Sequence, residues 1–411
     1  MRKILQGALA CMMVWMVASS SVEAQVFDPV KGCVVDNNGE CVPNTVLSAL
    51  PFLRIIPDAR SGAMGDVGVA ISPDANAMAF NASKLAFVEE DAAFSATYTP
   101  WLRNLNLDDI YMAYLSGFKK VDDRQTVGFN LRFFSLGELN FTNQDGDPIG
   151  IGKPRELEVA VGYARKLSEN FSASLSAKYI NSNLATGQSV QGIDISSANS
   201  FAVDIATTYI KPITLNGYKG KWTIAAAATN IGSKVSYTQD ERRDFLPGNL
   251  GIGTALELNF DDYNTMTFAL DVNKLLVPSP IAADCGGVEC EEYDQDGNGV
   301  ADYREKGLFS GVLGSFTDAQ GGFSEELREF TYSLGVEYWY DKQFAVRAGY
   351  YYENPLKGDR QFLTMGFGIK YNVFGMDLSY LVPTNNNRNP LDNTLRFTLH
   401  FDSSVFTTGD E

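Results

Sequence analysis

Histidine is nearly absent: the one imidazole of the 411-residue chain is His400. It shares the polar face of a strand-like stretch with Thr394, Arg396 and Thr398, the position of a lumen residue rather than a catalyst. No Ser-His-Asp or His-metal arrangement can be assembled around it, and we read no enzyme in the chain. Bases are scarce too. Lys and Arg number 33 against 50 Asp and Glu, a net charge of −17, which argues against nucleic acid as a partner because phosphate binding needs a basic face. Beyond the first seventeen residues no apolar run has the length of a membrane-spanning helix. Cysteines are few. Leaving out Cys11 near the N-terminus, Cys33, Cys41, Cys285 and Cys290 form two close pairs, which in an exported chain suggest two small disulfide loops. A four-thiolate metal site would need tighter clustering.

The apolar run that does exist stands at the start. Arg2 and Lys3, the apolar stretch Ile4 to Val17, and Val22-Glu23-Ala24 read as a secretory signal over residues 1–24. Gln25, not Cys, follows the expected cleavage site, so a lipoprotein is not indicated. Loss of two bases and one acid with that segment takes the net charge from −17 to −18.

Aromatics, by contrast, are plentiful at 12% of the chain, and apolar residues alternate with polar ones from Asp91 onward. Phe171, Ala173, Leu175, Ala177 and Tyr179 fall on one face of a stretch whose other face is Ser172, Ser174, Ser176 and Lys178. Leu395, Phe397, Leu399 and Phe401 repeat the pattern near the C-terminus. Period two over ten to thirteen residues is the signature of a strand between lipid and a polar lumen. Fourteen such segments stand at 92–99, 108–118, 125–135, 155–166, 170–182, 197–210, 221–231, 249–260, 263–274, 329–340, 343–353, 360–372, 375–383 and 392–402. Tight connections alternate with long ones, as they do when short periplasmic turns alternate with long outer loops. The expected fold is an all-β, 14-stranded antiparallel transmembrane barrel over residues 92–402, in the cell outer membrane with both termini periplasmic. Residues 403–411 would form a tail.

Residues 25–91 precede the strands, and Pro57 to Phe87 is their distinctive part: rich in Ala and Gly, without a β-branched run. Gly62, Gly65 and Gly68 allow close backbone packing, and Asp74 to Phe87 is helix-compatible behind Pro73. It reads as a plug on the periplasmic side of the barrel that seals the lumen.

The longest connection, Leu275 to Arg328, has 54 residues, with eleven acids against three bases, a net of −8. Within it Asp294, Asp296, Asn298, Asp302 and Glu305 supply side-chain oxygens at loop positions one, three, five, nine and twelve. Val300 would add its carbonyl at seven, with Gly299 at six for the sharp turn. This is the spacing of a Ca²⁺ loop, and we expect a structural Ca²⁺ that stiffens the outer loop. Leu308 to Phe316 follows, an apolar, Gly-spaced run that either packs on the barrel mouth or is offered to a partner.

Asp58-Ala-Arg-Ser-Gly-Ala-Met-Gly-Asp66, with Ser72-Pro-Asp-Ala75 and Asn81-Ala82-Ser83, resembles the N-terminal signature of FadL-like outer-membrane barrels. Ala82 stands where that family often has Pro. Arg60 to Ala70, Tyr98 to Trp101, Leu275 to Pro278, Phe344 to Tyr350 and Pro390 to Leu399 are similar, more narrowly, to FadL-like barrels of the type IX secretion system. The resemblance implies a fourteen-stranded barrel that is not a porin. Its partners would be the type IX translocon barrel, the C-terminal signal domains of secreted cargo, a sortase-type surface attachment complex and outer-membrane lipid. It assigns no cargo-binding residue. The alternatives it leaves open are transport of fatty acids or other hydrophobic ligands, and a related barrel of the same secretion system with another surface partner.

Overall fold

The computed structural model describes Val26 to Asp402 apart from residues 29, 32, 36–40, 42, 103–108, 143–146, 191–192, 239–242, 282–293, 295–296, 299 and 386–393. The signal at 1–24, Cys285, Cys290, Asp296 and the tail at 403–411 lie outside the described residues, as does the Cys33 side chain.

Fourteen antiparallel strands close into a barrel. They are β1 Ala92–Pro100, β2 Ile110–Asp122, β3 Gln125–Leu136, β4 Arg155–Lys166, β5 Phe171–Asn183, β6 Ala198–Leu215 and β7 Tyr218–Gly232. The second half is β8 Asn249–Asn259, β9 Asn264–Leu275, β10 Phe330–Tyr340, β11 Phe344–Tyr352, β12 Gln361–Tyr371, β13 Phe374–Pro383 and β14 Leu395–Asp402. Each pairs with the next, and β14 closes on β1 with Phe397 opposite Tyr98. The alternation acts inside out. In β5 Ser172, Ser176 and Lys178 are buried while Phe171, Leu175 and Tyr179 are exposed, as a polar lumen and an apolar outer face require.

Connections are short at one end and long at the other. The hairpin β6–β7 departs from expectation, because the strands run on past 210 and begin before 221 to meet at Asn216-Gly217. Both turn residues have positive φ, 50° and 88°, the requirement of a type I′ turn. Pro212 is tolerated there because β5 ends its pairing at Phe171–Tyr209, leaving that side of β6 without a ladder to donate to.

The helix expected over 74–87 is not formed as one piece. Instead there are a four-residue helix α1, Ala59–Gly62, and short 3₁₀ turns at Ala77–Ala79 and Ala82–Phe87. Asn81 divides them: its side chain accepts from the Ser83 amide and donates to the Val69 carbonyl and Thr208. Nor is the segment confined to the tight-turn end. The Ala49 amide bonds the Phe245 carbonyl among the long loops, whereas the Asp91 carbonyl accepts from Lys120 beside the tight turns. Residues 49–91 therefore thread the length of the lumen. The barrel itself begins at Ala92 and ends at Asp402 on the tight-turn side, but residue 44 lies at the opposite end, where its amide bonds Leu356. The segment entering β1 has therefore crossed the barrel between residue 44 and Asp91.

Three apolar levels hold it. Leu50, Phe52, Leu53 and Ile55 pack with Trp101, Phe134 and Ile180. Met64, Val67, Val69 and Ile71 meet Ala225, Ala255 and Ala269. Met78, Leu85 and Val88 meet Phe118, Ala160 and Ala164. Burial of these side chains favours the threaded state by roughly 1.5–3 kcal/mol for each large one.

Candidate functional site

Two sites emerge: the seam between the threaded segment and the wall, and the platform over the long-loop end.

At the seam, Asp58 caps α1 by accepting from the Ser61 amide at 2.8 Å. This fixes Arg60, whose guanidinium reaches Glu337 of β10 through Nε and Nη2 at 2.9 and 2.7 Å. It also bonds Asp74 and the Ser72 carbonyl, each at 3.0 Å. Glu337 accepts in addition from Arg347 of β11, which donates to Asp377 of β13, and Asp377 pairs with His400 of β14. The lone histidine thus stands at the end of a chain of charges of alternating sign, Arg60–Glu337–Arg347–Asp377. Elsewhere Asp271 accepts the Gly68 and Val69 amides at 2.7 and 2.8 Å, Thr364 that of Gly65 and Thr398 that of Ala59. Arg132 donates to the Phe52 and Leu53 carbonyls and lies in an ion-pair group with Glu158, Lys178 and Asp204. Inward polar side chains so replace the water that the segment's backbone would otherwise bind.

The platform is the connection between β9 and β10. Its helices are α2 Asp302–Glu305, α3 Leu308–Gly314 and α4 Phe323–Arg328. Five buried charges fasten it. Lys274 Nζ lies 3.0 Å from Glu326 and 2.5 Å from Glu329, and Lys357 Nζ lies 2.5 Å from Glu325 and 3.2 Å from Glu329. Beside them Glu353, in the loop after β11, pairs with Arg54 and Arg360. Burial raises the Glu353 carboxyl, but Arg360 and Arg54 outweigh it and hold it below the ordinary glutamate value. Leu308 to Phe316 contains α3, with one face turned to the barrel mouth and the other left open. Leu308 packs against Val46, Phe245 and Val277, while Phe309 and Leu313 are 75% and 72% exposed. Phe323 on α4 is 76% exposed.

Of the expected calcium ligands, Asp294 accepts from the Gly297 and Asn298 amides at 2.8 and 3.3 Å. Asn298 accepts from the Val300 amide and donates to Glu305, both at 2.8 Å. Asp294, Asn298 and Glu305 are therefore linked through one turn, with Asp302 opening α2. Among the described residues no three His, Cys, Asp or Glu side chains are grouped to hold a metal ion. Cys41 is disulfide-bonded, and the Cys33 backbone pairs with Asp28 in a small sheet.

Sequence reasoning quoted Arg60, Arg347 and His400 without seeing that they join, and it missed Lys274, Lys357 and Glu325, Glu326 and Glu329. A signal existed for the first group, since Glu337 and Arg347 fall on inward strand positions and stand directly opposite in register. None existed for the second, where the partners are 28 to 55 residues apart across a loop.

A family model described as type IX secretion system protein PorV matches residues 38–282, more than half of the chain. Among solved structures the chain is similar to the toluene transporter TbuX of Ralstonia pickettii, at 13% identity and a TM-score of 0.47, over 84% of this chain and 97% of that one. It is similar also to the toluene transporter TodX of Pseudomonas putida, at 10% identity and a TM-score of 0.46, over 87% and 98%. No curated protein matches it.

Proposed function

The chain belongs to the PorV family of type IX secretion system proteins, and from that premise we propose that it binds the C-terminal signal domains of secreted cargo leaving the translocon barrel and delivers them to the sortase-type attachment complex at the cell surface. The family is a secretion family and not an enzyme family, and the barrel is an outer-membrane one. The observation that carries the proposal is the occupied lumen. A segment bonded to strands around the barrel, from Ser116 of β2 to Thr398 of β14, leaves no wide path for a polypeptide, so cargo is handled outside it. The platform supports the same reading, because Phe309, Leu313 and Phe323 are large apolar side chains left exposed at the long-loop end, where a partner would meet them.

Transport of a fatty acid through the lumen is the weaker reading. The lumen is lined by ion pairs such as Arg132–Glu158 and Arg347–Asp377, and an apolar ligand would desolvate them without replacing their partners.

Purification from its own cells in mild detergent tests the proposal. Retention of the translocon and of secreted proteins through their C-terminal domains is the expected result. Normal surface display of cargo in a deletion strain would overturn it, as would purification with lipid alone.

A further inference from the structure

The outward face of the wall is not smooth. Across β8 to β12, at mid-length of the strands, it carries a groove of about 580 Å³ lined by Leu256, Phe268, Leu334, Val336, Ala348 and Leu363 among others. Thr254 and Tyr350 bring the only side-chain hydroxyls of the lining. Phe268, Leu334 and Leu363 are exposed and belong to the apolar belt that faces lipid.

The wall is thin behind this groove for a reason legible in its glycines. Gly335 of β10 and Gly349 of β11 stand directly opposite in register and face inward. There Gly349 meets the backbone of Met64 and Gly65, and Gly335 meets the Met64 carbonyl and side chain. A carbon added to Gly335 would come within 2.6 Å of the Met64 carbonyl, and one added to Gly349 would collide with the Gly65 amide. Gly65 itself has φ +69°, a conformation that a side chain would strain. One layer of backbone therefore separates the lipid side from the threaded segment.

A concavity at this height cannot be left empty. A void forfeits the dispersion contacts of its lining, and water needs more polar partners than two hydroxyls provide. The groove crosses five strands, roughly 19 Å at the usual strand spacing, and its volume lies within the range of small-ligand sites. We infer that it is a binding site for one acyl chain of an outer-membrane lipid. The chain lies against Val336 and Ala348, where small and branched side chains leave room for it.

Native mass spectrometry of the full-length protein tests this. Detergent exchange strips the protein of loosely held lipid, and dipalmitoyl phosphatidylethanolamine is then added back. One tightly retained lipid per barrel is expected for the wild type and none for Ala348→Phe, which fills the groove from the lipid side. Val336→Phe provides a second route to the same loss, and Ile205→Phe, on the outward face of β6, retains the lipid. Equal retention in all four proteins would overturn the site. So would a retained mass matching a free fatty acid or a polypeptide, since either would mean another occupant.

Discussion

Arg60→Met removes the charge at the centre of the seam while keeping most of the side chain's bulk. Five hydrogen bonds are lost: two to Glu337, one to Asp74 and two to Ser72. Deleting one partner of a buried pair costs about 3–5 kcal/mol, because the survivor stays charged and desolvated. Here Glu337 keeps Arg347 at 2.6 Å, so the lower end applies, about 3 kcal/mol. The loss falls on the threaded segment and not on the wall, whose strand ladders do not use Arg60. At 1.4 kcal/mol per factor of ten, the population of open segment rises about a hundredfold. Hydrogen exchange followed by mass spectrometry in detergent reads this as faster exchange in peptides covering residues 58–75, with β3 to β5 unchanged. Arg60→Lys keeps a charge but not the two-pronged contact and is expected to fall between. Unchanged exchange in 58–75, or equal acceleration in the wall, would refute the reasoning.

Lys274→Met leaves Glu326 and Glu329 without their shared cation and should loosen the platform by about 3 kcal/mol; faster protease cleavage between residues 276 and 329, with the barrel intact, is the expected outcome. The depressed Glu353 carboxyl gives a pH dependence of known sign. Its contribution is complete above the ordinary glutamate value of about 4.3 and is lost as the pH falls through its lower folded value. Pepsin cleavage of the 353–360 loop should therefore rise with acidity, and Glu353→Gln should flatten that rise. Replacing Asn216-Gly217 by Val-Val forces two β-branched residues into positive φ, at about 1–2 kcal/mol each, and should slow recovery of the heat-modifiable folded form on gels. Calcium should protect residues 294–305 from protease and release binding heat, and Asp294→Ala should abolish both.

The barrel was legible because period two is a local property. Leu175 exposed and Ser176 buried follow from neighbouring letters once a lipid exterior is assumed. Loop alternation told the two ends of the barrel apart without any long-range information. The hairpin at Asn216-Gly217 carried its own turn signal, yet Pro212 concealed it, since a proline reads as a break until the missing neighbour on that side is known. The course of residues 49–91 was illegible in a different way. Small residues announced close packing, but whether Gly65 touches Gly349 depends on a wall built from residues nearly three hundred positions later. The platform network failed for the same reason: Lys274 in isolation looks like a solvated end of a strand, and only the fold returns Glu329 to it.

The two buried charge systems differ in what their loss would change. Glu337, Arg347 and Asp377 all stand on the wall and together carry a net charge of −1, so they form a preformed receptor for the Arg60 cation of the threaded segment. At the platform the cations Lys274 and Lys357 come from the barrel side, while Glu325, Glu326 and Glu329 come from the loop. Neither half is neutral alone, so the loop and the barrel mouth are each strained by separation. The platform is joined through two cations and three carboxylates, where the seam at Glu337 is joined through one guanidinium. It is also the part that carries Phe309, Leu313 and Phe323 into the open. A surface held by two cations and three carboxylates loses little entropy when a partner settles on it, which favours recognition by a fixed apolar face over a loop that folds on contact.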